Sequence, residues 1–191
     1  MEHPDQRHRA GPVSPLLAVI DMQRFFAPGE VWAVPGFDGL IGPVDRLVRG
    51  YRDRVVFTRF VVPDAPQGSW VPYYAQWPQV VGPAAQALAA IVPPWSDRAG
   101  PTLDQPTFSK WGPELAGRLG DDGELVLCGV STDCCVLATA LAAVDAGAAV
   151  RVVADACAGI DAAAHERAVA LLAGFAPQVT ISSVETELSG R

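Results

Sequence analysis

LVLCGVSTDCCVLATALAAV, residues 125–144, is a strand, a turn and a helix in succession. Leu125 to Cys128 is a short apolar run closed by Gly129, as a buried parallel strand requires, and Val136 to Val144 has the apolar spacing and alanine content of a helix. A tight turn joins them. There Ser131 or Thr132 can cap the helix through a side-chain oxygen, and Asp133 puts its charge at the positive end of the helix dipole. Cys134 and Cys135 follow at once. A thiol in the first turn of a helix faces unpaired backbone N–H groups that favour thiolate, the form that attacks carbon. The competing reading makes both cysteines small buried hydrophobes. Successive helical residues diverge by about 100°, so only one of the two can point at a given site and the other packs.

The same alternation recurs along the chain. Leu16 to Ile20 (LLAVI) is a buried strand ending in Asp21, a carboxylate too costly to bury without a cationic or donor partner. A Pro/Gly-rich loop with several aromatics leads to a helix from about Phe37 to Tyr51, weakened at its start by Gly42 and Pro43. Arg54 to Arg59 is a second strand. The long segment from Phe60 to Pro101 has little periodicity beyond the alanine-rich Pro83 to Ile91, a short helix at best. Thr102 to Phe108 is extended and precedes a helix from Pro113 to Leu119, with proline at its tolerated first position. Glu124 to Cys128, Ala149 to Ala154 and Gln178 to Ser182 are further strands, and Asp161 caps a helix running to Phe175. Strands alternating with helices imply a central, mostly six-stranded parallel sheet with helices on both faces, a three-layer α/β/α, Rossmann-like fold.

Composition sets bounds on function. A chain of 191 residues, half of them hydrophobic, can bury a core as one domain. We expect a flexible tail over residues 1–13 and a single domain over 14–187. A net charge of −7 with no basic stripe argues against nucleic acid as a partner. No apolar segment is long enough to span a membrane and the start lacks a signal peptide's apolar core, which suggests a cytoplasmic protein. The four cysteines form no C-x-x-C pair and no zinc-finger spacing, so reduced thiols and no metal or cofactor are expected. His3 and His8 fall in the polar tail, and His165 on a helix surface. Thirteen of the fourteen basic residues are arginine; the exception, Lys110, offers the compact ammonium that suits a catalytic site.

Asp21 and Cys135 each follow a parallel strand, and Lys110 follows an extended stretch, so all three reach the same edge of the sheet, where open α/β sheets bind ligands. The carboxylate can take the thiol proton and the ammonium can hold the carboxylate. Over nearly all of residues 16–187 the sequence resembles the isochorismatase-like cysteine hydrolases. The resemblance is carried by LLAVIDMQRFF at 16–26, VVFTRF at 55–60, LVLCGVSTDCCVLATALAA at 125–143 and VRVVADACAG at 150–159. It implies that Cys135, directly before the valine of the T-D-x-C-V pattern, is the nucleophile and that Asp21 is the catalytic aspartate. It also implies a non-proline cis peptide at Val130-Ser131, with the Ser131 and Cys135 amides forming an oxyanion hole. Two departures stand out. Gln105 holds the place of the family lysine in QPTFS, which leaves Lys110 to supply the ammonium from a shifted position. FVVPD at 60–64 lacks the histidines that nicotinamidases of the family use for metal.

Together these point to a metal-independent thiol hydrolase of a small amide, carbamoyl or ureido compound. Two alternatives stay open: a Cys-independent vinyl ether hydrolase of the isochorismatase type, and a silent binding module suggested by Gln105. Phe26, Trp70, Tyr74, Trp77 and Trp111 are candidate pocket walls and Arg59 a candidate anchor for a substrate anion; the tryptophan-rich segment can instead serve an interface. The resemblance further implies a homodimer or higher homo-oligomer.

Overall fold

The computed structural model describes residues 14–121 and 123–189; the expected tail at 1–13 lies outside them. Six parallel strands, β1 (Leu16–Ile20), β2 (Val55–Phe60), β3 (Leu103–Gln105), β4 (Glu124–Val130), β5 (Ala149–Ala158) and β6 (Val179–Ser182), form one sheet in the order β3-β2-β1-β4-β5-β6. The chain winds outward from β1 to β3, returns to the centre at β4 and winds the other way to β6. The order therefore reverses between β1 and β4, where the carboxyl ends of two neighbouring strands open a crevice. Asp21 follows β1 and the turn 131–136 follows β4, so both flank that point.

Helices α1 (Phe37–Tyr51), α2 (Trp70–Ala75), α3 (Pro113–Leu119), α4 (Leu137–Asp145), α5 (Ala162–Ala173) and α6 (Val184–Leu188) complete the three layers. α1 and α6 pack on each other and against β5; α4 and α5 pack on each other, with α5 against β6. α1 survives Pro43 within it because Phe37, Leu40, Val44, Leu47 and Tyr51 are all buried along one face. At about 1.5 to 3 kcal/mol for each large apolar side chain, that burial exceeds the roughly 3 kcal/mol that proline costs a helix interior. Asp161 caps α5 as its sequence suggests, accepting from the Ala164 amide at 2.7 Å.

Several boundaries differ from expectation. β4 runs on to Val130 and β5 to Ala158, because Gly129 pairs with Cys157 and Val130 with Ala158 beyond a register shift after Leu127. Gly129 makes this possible. Its φ is +107°, and a Cβ there would stand 2.1 Å from the Ile20 carbonyl oxygen, so only glycine lets β4 lie this close to β1. Asp155 consequently lies within β5 instead of ending it, and its Oδ1 accepts from the Val184 amide at the start of α6. Only Leu103–Gln105 of the expected extended stretch is strand, and Pro83–Ala89 is a 3₁₀ helix. α2, with proline in its third position and four aromatic or β-branched residues among six, has little helical propensity. It forms because Trp70 stacks on Tyr74 and meets Tyr73 and Phe108 edge-on or tilted, a packing term no local pattern announces.

Candidate active site

Asp21 sits in the left-handed region, φ 48°, immediately after β1, and its side chain is fully buried. Thr58 in β2 meets it twice: the hydroxyl donates to Oδ1 at 2.7 Å and accepts from the Asp21 amide at 3.2 Å. Lys110 Nζ lies 3.0 Å from Oδ2, with both side chains at 0% exposure. The ammonium approaches off the hydrogen-bonding direction, so among the described residues Oδ2 has an ion pair but no hydrogen bond and keeps a lone pair for another donor. Lys110 is itself fixed. Its Nζ donates to the Thr107 carbonyl at 2.8 Å and stands 4.9 Å over the Phe60 ring, a cation–π position. Its amide donates to Thr139 Oγ1, which in turn donates to the Cys135 carbonyl at 2.6 Å. One hydroxyl thus ties the lysine to the cysteine turn.

That turn departs from the regular helix expected. Residues Thr132–Val136 form a π-type turn in which the Val136 amide donates to the Ser131 carbonyl five residues back. The Val130-Ser131 peptide is cis. Ser131 does not cap the helix; its hydroxyl donates to Asp133 Oδ1, which also accepts from the Ile160 amide. Gly159 allows this crossing, since a Cβ there would stand 2.8 Å from Asp133 Oδ1. Thr132 Oγ1 shares a hydrogen bond with His165 Nδ1 at 2.9 Å, so His165 braces the turn from α5.

The wider π-type winding overturns the expectation that one cysteine must point away. Both Cys134 and Cys135 line one cavity of about 350 Å³. The neighbouring Cys134 thiol, then burial and the Asp21 carboxylate, push the Cys135 thiol well up, while the Lys110 ammonium pulls it down. The adjoining Cys135 thiol in turn holds the Cys134 thiol down. The thiolate favoured by helix position alone is thus opposed at Cys135 by burial and by the nearby Asp21 carboxylate.

The cavity walls are Phe26, Trp32, Val34, Phe60, Tyr73, Phe108 and Ile160, with Ser131 and Asp133 at the cysteine end. Burial, and then the two thiols, push the Tyr73 phenol up to about 12. Of the walls expected from sequence, Phe26 lines the cavity. Trp70, Tyr74, Trp77 and Trp111 do not: Trp70 packs tilted against Phe60 and Phe108 with Tyr74 stacked on it, Trp77 meets the edge of Trp32, and Trp111 packs on the core. Arg59 is bound to Asp104 through Nε and a second guanidinium nitrogen, and faces a different cavity of about 470 Å³ with Val61 to Asp64. Trp32, Tyr73 and Phe108 line the cysteine cavity instead, and of these only Tyr73 belongs to the tryptophan-rich segment. Their one sequence signal is aromatic content in Pro/Gly-rich loops.

An isochorismatase domain model matches residues 15–183. The chain belongs to that family. It is, accordingly, a hydrolase of the isochorismatase-like superfamily. An isochorismatase family protein from Desulfovibrio vulgaris superposes with a TM-score of 0.74 at 24% identity, covering 94% of this chain and 99% of that one. A cysteine hydrolase from Pseudomonas syringae pv. phaseolicola gives 0.73 at 18% identity, covering 99% and 97%. The pyrazinamidase of Pyrococcus horikoshii, in complex with zinc, gives 0.67 at 25%, covering 88% and 98%. A search of curated protein sequences returns no match. Just after β2 this chain carries Asp64 and no histidine, and among the described residues no group of three or more His, Cys, Asp or Glu is placed to hold a metal ion.

Proposed function

We propose that the protein is a metal-independent cysteine hydrolase that cleaves a C–N bond of a small amide, carbamoyl or ureido compound through an acyl thioester on Cys135. The observation that carries this reading is Asp21: buried, ion-paired to Lys110, and left with an unbonded Oδ2 that acts electrostatically on a cavity-lining thiol. Oδ2 takes the proton of Cys135 as sulfur attacks the carbonyl carbon. Charge builds on the carbonyl oxygen, where the Ser131 and Cys135 amides would stabilise it. The tetrahedral adduct collapses, the C–N bond breaks, and the leaving nitrogen takes the proton held by Asp21. Water then gives a proton to Asp21 and attacks the thioester; Cys135 leaves and recovers its proton, and the acid departs. Lys110 keeps Asp21 oriented and balances its charge in both halves of the cycle.

The test is ammonia or amine release from a panel of amide, carbamoyl and ureido compounds, with acid-quenched mass mapping of the protein. Wild type should turn over at least one compound and carry the acyl mass on Cys135; Cys135→Ala and Asp21→Asn should do neither. Full turnover by Cys135→Ala would sink the thiol route in favour of Cys-independent chemistry.

A further inference from the structure

The cavity has an uneven charge inventory. Five rings, Phe26, Trp32, Phe60, Tyr73 and Phe108, form a continuous wall with centroid separations of 5.6 Å for Trp32 and Phe60, 5.9 Å for Tyr73 and Phe108, and 6.1 Å for Phe26 and Trp32. Among the described residues the wall includes no lysine, arginine or histidine, and its one charged side chain is Asp133. Asp133 spends only Oδ1, on the Ser131 hydroxyl and the Ile160 amide; Oδ2 has no partner among the described residues. Lys110 does not balance it, being fully buried and paired to Asp21. Arg59 does not either, since it is held by Asp104 and opens on another cavity. Ring faces carry negative quadrupole potential and attract ammonium groups, as Phe60 already attracts Lys110 on one side. Rings and an uncompensated carboxylate around a small cavity are a cation receptor.

We propose that this site, read as a thiol amidohydrolase, takes a substrate whose acyl part carries an ammonium group, which rests on the aromatic wall facing Asp133, and that it turns away carboxylates. Asp133 is then the residue that sets charge preference. Its side chain acts on substrate charge through Oδ2 while Oδ1 holds the turn.

The selection can be read without knowing the substrate. Three methanethiosulfonates of matched chemistry, bearing an ethyltrimethylammonium, a methyl or an ethylsulfonate group, are reacted with the native protein. Rates at Cys134 and Cys135 are resolved by fragment masses, and each is divided by the rate for free 2-mercaptoethanol. The expected order is cationic, neutral, anionic, with a cationic-to-anionic ratio of about tenfold or more, reduced by added salt. Asp133→Asn keeps the carbonyl oxygen that serves Ser131 and Ile160 and removes the charge; the ratio should fall by about fivefold or more. Modification at Cys135 with no preference for the cation, or with a preference that neither salt nor Asp133→Asn lowers, overturns the charge selection alone. No modification of Cys135 by any of the three overturns the nucleophile reading, and the charge selection falls with it.

Discussion

Replacing Lys110 by methionine tests the centre of the site through stability before any substrate is known. Two unit charges 3.0 Å apart attract by about 5.5 kcal/mol at an effective dielectric of about 20. Desolvation offsets much of this when the whole pair is compared with an apolar one, but breaking the pair from one side leaves a buried charge and costs roughly 3 to 5 kcal/mol. Lys110→Met should therefore lose about that much unfolding free energy in urea. Asp21→Asn should also lose several kcal/mol, because the ammonium keeps only the Thr107 carbonyl and the Phe60 ring. The double variant contains no buried charge at this point. It should regain at least about 2 kcal/mol over the sum of the single losses, the sign of direct coupling. Circular dichroism melts in urea on the four proteins supply the cycle, with an unchanged m-value as the check that the unfolded state is common. Single losses under about 1 kcal/mol, or strict additivity, would refute the claim that Lys110 and Asp21 form one dry ion pair. The assignment of Lys110 to the place vacated at Gln105 would then fail too.

Gly129→Ala should cost about 3 kcal/mol or more, since it meets both a positive φ and the Ile20 carbonyl, whereas Gly147→Ala, at φ +92° in open space, should cost about 1 to 2; urea titration of both separates collision from backbone strain. Thr139→Val keeps the shape of the side chain but strands the buried Lys110 amide and releases the Cys135 carbonyl, an expected loss of about 1 to 3 kcal/mol by the same measurement. Tyr73 and Tyr74 are both pushed up to about 12, burial being the first cause in each. Their phenols lose protons more easily in the unfolded chain, near the ordinary value of about 10, than in the native one, so stability should fall as pH rises from about 10 toward 12. Phenolate absorbance should accordingly rise at lower pH in urea than in buffer; coincident curves would count against the burial of both rings.

Asp21, Lys110 and Cys135 were legible because each is announced locally. Asp21 closes an apolar strand, Cys135 opens a helix after another, and Lys110 is a lone lysine after an extended stretch; a parallel sheet then carries all three to one edge whatever lies between. The walls had no such carrier. Trp32, Tyr73 and Phe108 belong to segments with neither period 2 nor period 3.6, and their partners are one another, so which rings face the cavity and which stand behind is decided by mutual packing. Trp70 and Tyr73, three residues apart on α2, fall on opposite sides of that division. Cys134 illustrates a subtler failure. The 100° rule left only one of the two cysteines for the site and the resemblance chose Cys135, yet across a single turn of π-type winding both line the cavity. That winding comes from how Thr132 meets His165 on α5 and how Asp133 holds the Ile160 amide past Gly159, contacts with a segment about thirty residues downstream. The surroundings of the Cys135 thiol, buried and in the field of the Asp21 carboxylate, are therefore set by tertiary bracing of a motif whose residues alone suggest a free thiolate.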